Sequence, residues 1–591
     1  MRTYIKIINR IAMAMLIILP FAVNAQTTAT KAWVAKSNNY TKILLDIDKK
    51  YSPEFGSQQG LTMYDEQIGV PTLANALAAQ KEKQHAIVLL KAARQTEKDR
   101  FVKQDLDILI NKIQLAIKQA NYFQQKQVTF LNATGTVFGG MQTLLDDQTA
   151  EPRRKAALVR LRKYAGLEKG YRPITAILKY RVQQQMARPG MIYPSKQDVE
   201  VALAHNVSMI DGIGVLFKKY HLTGWEETYA IEKKQLTDYD AWIKTTLLPK
   251  GRTDFKLPAE EYKLNLEALG IDIPPAEVAK RAHALFADIQ NQMKPLAEQI
   301  AKKNHLPSND YRDVIKFLKK GQIIGDSIMP VYHRHLADIE QIIREHHLVT
   351  LPNRPAIIRL ASAAETAQQP APHMVPPPFL NNTGQRGVFV LPLNMPAAPG
   401  AKEDKYDDFT FDAASWTIIA HEARPGHELQ FDKMVEEGVS QARALYAFNS
   451  TNVEGWGLYS ESITLPYMPV EGQLVSLDYR LLRATRAFLD PELQAGIKTQ
   501  KQALDLLMTD VVQSHAFAQQ EVERYTLKAP GQANSYFYGF TKMIALRKDT
   551  ETALGKKFNA QRFHDFVLAQ GILPPALLRE AVMTDFIPKE K

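Results

Sequence analysis

Apolar residues recur at steps of three and four over most of this chain, and that period limits the fold more than any other feature. Val102, Leu106, Leu109, Ile113 and Ala116 trace one stripe; Val278, Ala282, Leu285, Ile289, Met293, Leu296 and Ile300 trace another. Such a stripe lies on one face of a helix and has to be buried against a neighbour. A mainly α protein of many packed helices is therefore expected. Pro274 and Pro275 suit the start of the second helix, where a missing N–H costs little. Pro295 is expected to kink that helix rather than end it, because the stripe continues beyond. The clearest strand is the β-prone run Val388–Leu391, bounded by Gly387 and Pro392 and preceded by a proline-rich loop at 369–378. With 591 residues and 45% hydrophobic content, several packed subdomains are affordable. The Pro- and Gly-bearing stretch 247–258 reads as a seam between an N-terminal helical part, 26–250, and a C-terminal part, 251–591, that carries the chemistry. No repeat of fixed period is present, which argues against a solenoid.

Residues 1–25 have the form of a secretory signal. Arg2, Lys6 and Arg10 precede the apolar run from Ile11 to Val23, and Val23-Asn24-Ala25 offers small residues for cleavage after Ala25. That run is shorter than the roughly 20 residues a membrane-spanning helix needs, so no integral membrane segment is expected after cleavage. The mature chain is expected to be a soluble protein of the periplasm or exterior. Its formal charge falls from +11 to +8 on loss of the three signal cations. The cationic excess is spread along the chain with no basic tail or aromatic-basic repeat, which argues against a nucleic-acid partner. Zero cysteines exclude a disulfide framework, a thiolate metal site and a cysteine-borne lipid. Any metal has to be held by His, Asp or Glu.

His421-Glu422-Ala423-Arg424-Pro425-Gly426-His427 is such a candidate. Asp412 is expected to cap a helix that runs into His421. Histidines four apart lie about 40° apart around a helix axis, but six apart they lie about 240° apart, so an unbroken helix cannot turn both to one ion. Pro425 removes the N–H that would bond the His421 carbonyl, and Gly426 accepts the backbone angles of a bulge. The expectation is one helix that loops out two residues and returns His427 to the face of His421. Glu422 then stands beside the metal as general base toward a water. A catalytic zinc takes three protein ligands and keeps one open position. Downstream, Glu454 and Glu461 stand seven apart on one helical face. Glu454 is the expected third ligand, with Glu461 orienting a ligand histidine from behind.

Three runs carry a likeness to a known family: 421–430 (His-Glu-Ala-Arg-Pro-Gly-His-Glu-Leu-Gln), 454–461 (Glu-Gly-Trp-Gly-Leu-Tyr-Ser-Glu) and 529–536 (Ala-Pro-Gly-Gln-Ala-Asn-Ser-Tyr). They resemble the bacterial domain-of-unknown-function family DUF885, from about Arg252 through Phe563-His564-Asp565 to the C-terminus and more weakly before it. The resemblance implies a mostly helical, cleft-bearing, zinc-peptidase-like fold with a short strand edging the cleft beside the metal helix. It also implies His421, His427 and Glu454 as zinc ligands and Glu422 as base. This chain departs from the family pattern at Glu428, where many relatives have a second histidine. It departs again at Asp490-Pro491-Glu492-Leu493-Gln494, where they tend to end in histidine, so no substrate role carries over to Gln494.

Other residues have two readings each. Tyr536, from its place in the third run, and then Tyr538 are candidates to stabilise the oxyanion, against core packing of their rings. Arg480, Arg483 and Arg486 form a stripe that could grip a substrate carboxylate, although such stripes are more often solvated or paired with acids. The strand Val388–Leu391 could add an extended peptide at its edge, or be one arm of a hairpin. His333, His335, His346 and His347 read as surface or core histidines, because neighbours one or two apart share no helical face. The expected function is zinc-dependent hydrolysis of peptide bonds. A non-peptide amidase or esterase is the first rival, and a non-catalytic exported metal-holding binding protein the second; retention of Glu422 speaks against the latter.

Overall fold

The computed structural model describes residues 32–362, 365, 366, 369, 371–392 and 406–591. The expected signal and its cleavage point lie outside the described residues. Both periodic stripes form buried helix faces. Helix Arg100–Lys126 buries Val102, Leu106, Leu109 and Ile113, with Ala116 half-buried. Helix Pro275–Lys303 buries Val278, Ala282, Ile289, Met293 and Ile300, with Leu285 and Leu296 half-buried. Pro274 sits at its N-cap and Pro275 in its first turn, and the helix continues through Pro295. It packs along helix Val470–Gln494, where Ile289, Met293 and Ile300 share a core with Leu474, Leu477 and Leu481. Full burial of each such side chain contributes about 1.5–3 kcal/mol.

Apolar residues of the helices between 32 and 126 join those of the chain beyond 257 in one core; Leu44, Leu90 and Leu109 belong to it with Phe389, Leu482 and Phe563. A second core gathers Ile68 and residues between 128 and 247, including Phe138, Tyr164, Ile213, Phe217 and Leu236. Helix Lys196–Lys219 is the one described helix long and apolar enough to cross a membrane, with a mean hydropathy of 1.3 over its best window. Its buried Val199, Met209, Ile213 and Phe217 belong to the second core.

Three short strands make one sheet: β1 (Ile357–Leu360), β2 (His373–Val375) and β3 (Val388–Leu391), in the order β1-β3-β2. β3 is the strand expected from sequence, and it is wholly buried. It pairs in parallel with β1 and antiparallel with β2. Of the two readings of this strand, edge addition of a peptide is overturned, since a central strand has both sides occupied, and β3 instead forms an antiparallel pair with β2, the strand before it in the chain. Among the described residues the sheet's two edges are β1 and β2, and β2 lies inside the stretch expected to be only a proline-rich loop.

Candidate metal centre

The metal motif is two helices rather than one buckled helix. The first, Asp412–Glu422, has Phe411 at its N-cap position and Asp412 as its first helical residue, so it starts one residue earlier than an Asp412 cap would place it. The second, His427–Glu436, starts at once after Gly426. Between them Ala423–Gly426 is non-helical, with a cis bond at Arg424-Pro425. A Cβ placed on Gly426 would meet the His421 carbonyl oxygen at 1.8 Å, so only glycine lets the chain turn back this closely over the first helix. The turn brings the imidazoles of His421 and His427 edge to face, with ring centroids 4.7 Å apart.

Helix Ser450–Thr464 supplies the rest, and its motif residues divide the work. Glu454 Oε2 lies 3.5 Å from Nε2 of both histidines. Trp456 Nε1 donates to the Pro425 carbonyl at 2.9 Å and clamps the turn. Gly457 leaves room for the His421 ring, which a Cβ there would meet at 2.5 Å. Glu461 Oε1 lies 2.7 Å from His421 Nδ1, and its other oxygen accepts from Thr417 at 3.1 Å. His427 Nδ1 lies 3.3 Å from Gln430 Oε1, and Gln430 donates to Asn452 at 3.2 Å. Each histidine thus has a partner on its far nitrogen that fixes the tautomer and turns Nε2 toward Glu454. One ligand atom from each of His421, His427 and Glu454 fits within 4.8 Å of the others.

Glu454 Oε2 is buried with no hydrogen-bond partner. An orphaned carboxylate oxygen facing two imidazole nitrogens is an arrangement that a cation completes. The local field favours positive charge. Burial by itself lowers the pKa of His421, but Glu454 and Glu461 outweigh it and push it up to about 9. Glu454, although burial raises it, is held well below the usual carboxylate range by the two imidazoles it faces. Glu461 is also held down against its burial, first by the Arg483 charge and then by His421. Glu422 goes the other way, and its burial raises it above an ordinary carboxylate.

These groups open onto a cleft of about 430 Å³ that exposes His421, Glu422, His427, Glu454 and Tyr536 together. Tyr536 lies flat to His421 with ring centroids 6.3 Å apart, and its hydroxyl accepts from Arg524 at 2.8 Å. Tyr538 is directed elsewhere and bonds Asp272 through its hydroxyl. Of the arginine stripe, Arg483 and Arg486 line the cleft. Arg480 packs over Phe540, 5.2 Å from the ring centre, outside the lining. Arg524 and His373 are among the cleft residues that the sequence does not single out. Arg524 sits where helix His515–Glu523 gives way to a wider turn, so no period marks it. His373 belongs to β2, which its proline-rich surroundings hid.

The departures at 428 and 494 have structural occupants. Glu428 is wholly buried and accepts from Arg424 at 2.9 Å and from Arg354 at 2.5 Å. Arg354 also reaches Asp432 at 2.8 Å, and Asp432 accepts from the Gly387 N–H at 2.8 Å, which ties the second motif helix to the start of β3. Gln494 spans Leu257 N and Tyr525 O, at 2.8 Å each, away from the cleft. His335 is buried against Trp416, with ring centroids 4.6 Å apart, and His333, His346 and His347 are exposed. None of these four histidines lines the cleft.

The profile of a family described as bacterial proteins of unknown function, DUF885, matches residues 53–582. No curated protein matches the chain. A candidate lipoprotein of unknown function from Shewanella oneidensis superposes with a TM-score of 0.70 at 19% identity, covering 93% of this chain and 99% of its own. A candidate lipoprotein from Colwellia psychrerythraea gives 0.71 at 18% identity, covering 94% and 100%. At these identities the likeness is one of fold.

Proposed function

Because this chain belongs to the DUF885 family, whose name leaves function open, we propose its function from the cleft itself: exported, zinc-dependent hydrolysis of peptide bonds. The observation that carries this reading is the convergence of His421, His427 and Glu454 on one point beside a further, half-buried carboxylate, Glu422. A structural zinc needs ligands only; a second acidic group, outside the ligand set but in the same cleft, is what a hydrolase requires.

The donor set suits zinc, with two imidazoles, one carboxylate and an orphaned oxygen between them. When bound, zinc supplies a Lewis acid that raises the acidity of water and polarises an amide carbonyl. The chain's own residues do the rest. Glu422, destabilised as an anion by burial, takes the proton of the attacking water and delivers it to the leaving amine. Tyr536 is kept protonated by its burial, and because Arg524 donates to its oxygen, its own O–H is free for the oxyanion. Glu461 and Gln430 hold the ligand rings in place. Export accords with the signal-like first 25 residues and with the lipoprotein descriptions of the two structural relatives.

The test is a peptide library incubated with the zinc-loaded mature protein and read by mass spectrometry beside a panel of esters and non-peptide amides. Cleavage of peptides, with slower or no turnover of the panel, is expected. Turnover confined to the panel would replace the peptidase reading with that of an amidase or esterase.

A further inference from the structure

The two sides of the cleft differ in chemistry. Beside His427 the wall is apolar: Phe431 lies 6.3 Å from the His427 ring and stacks on Phe379 at 6.0 Å, with Phe448 and Ile572 nearby in the lining. On the side of His421 lies Tyr536, and the guanidinium carbons of Arg486 and Arg524 stand 4.7 and 5.1 Å from its ring centre. Arg483 completes this wall. Apart from His373 and the cluster of His421, Glu422, His427 and Glu454, the acidic and basic side chains among the cleft's described lining residues are these three arginines.

Their charge is only partly met. Arg486 holds Glu521 through Nε and Nη2 at 2.6 and 2.7 Å, which leaves Nη1 without a protein partner among the described residues. Arg524 shares the same acid at a looser 3.6 Å. Arg483 reaches Glu461 at 3.4 Å, but Glu461 already serves His421, and the buried Nε of Arg483 has no hydrogen-bond partner. Three guanidinium groups therefore face two carboxylates in a desolvated wall. Buried charge without a counter-charge is costly, and arginine forks suit a carboxylate.

We propose that this arginine wall receives the C-terminal carboxylate of the substrate, so that the enzyme acts on peptides with a free C-terminus and removes short fragments from that end. The assignment rests on the peptide-hydrolase reading above. The distances set the fragment length. The His421 and Tyr536 ring centres are 6.3 Å apart, and Arg486 and Arg524 lie 4.7 and 5.1 Å from the latter, so these two guanidinium groups stand no further from His421 than those spans laid end to end. At roughly 3.3–3.6 Å per extended residue, that leaves space for about one to three residues beyond the scissile bond. The apolar wall beside His427 then receives side chains on the N-terminal side of the bond.

The experiment compares one apolar peptide as its free acid and as its C-terminal amide. Zinc-loaded mature protein is expected to cut the acid with a kcat/KM at least about tenfold higher, the scale of a hydrogen-bonded charge contact. Mass spectrometry should show loss of one to three residues from the C-terminus. Calorimetric binding to Glu422→Gln protein should show the same preference without turnover. The preference should collapse in Arg524→Gln and return in part in Arg524→Lys; the wild-type comparison stands even if the glutamine variant fails to fold. Equal cutting and equal binding of acid and amide would overturn the carboxylate assignment and leave the hydrolase reading intact. Preferential binding of the acid with neither peptide cut would overturn the hydrolase reading, and with it the assignment of that carboxylate to a substrate.

Discussion

Glu422→Gln is expected to lower turnover by about 10²–10⁴-fold, the usual contribution of a positioned general base, while zinc content stays that of the wild type. The substitution keeps the size of the side chain and removes the proton acceptor. Glu422 is not among the three converging ligands, so nothing in the metal's hold should change. Its position also explains why an acid serves here. It is the last residue of the first motif helix, next to a ligand histidine, in a site whose burial raises its affinity for a proton. Parallel measurement of kcat/KM and bound zinc separates this role from a structural one. Loss of zinc along with activity would make Glu422 a ligand or a support, and retained activity would remove it from the chemistry.

The second large effect is expected at a residue with no side chain. In Gly426→Ala the new methyl would stand 1.8 Å from the His421 carbonyl oxygen, 2.4 Å from its carbon and 2.5 Å from the Ala420 carbonyl oxygen. All three are backbone atoms and cannot swing aside as a flexible side chain would. The turn has to open, at a cost above the roughly 1–3 kcal/mol typical of overpacking. Opening it separates His427 from His421, so zinc affinity and activity should fall together with the midpoint of thermal unfolding. Gly139→Ala is the matched control, because a Cβ there meets nothing within 4 Å. A Gly426→Ala protein with wild-type stability and zinc affinity would contradict the account of how the two imidazoles meet.

Most of the candidate His-His-Glu cluster was legible in the sequence because its spacing poses a problem only a broken helix solves. Histidines six apart with Pro-Gly between them point to one site, and carboxylates seven apart on a helix can both serve it. The kind of break was not legible. The local sequence allows a bulge, whereas packing produces two helices, with the turn held from outside by Trp456 and the Ala420 carbonyl by Ser460. Tyr536 and Tyr538 were weighed together, yet residues two apart on a helix diverge by about 200°, and Tyr538 accordingly faces Asp272. Arg524 gave no signal, since its place in the cleft comes from tertiary packing rather than from any period. The strand at 388–391 was visible from its composition. Its central position was not, because strand order is set by tertiary packing and β2, only three residues long, lies among prolines.

The central claim is that His421, His427 and Glu454 together hold one metal ion. Elemental analysis of the mature protein, equilibrated with zinc and then dialysed, tests it most directly. About one zinc per chain is expected, as for an open three-ligand site, and the amount should fall sharply in His427→Ala protein that keeps its helical circular dichroism. Wild-type protein that is folded yet retains no zinc or other divalent metal would contradict the claim.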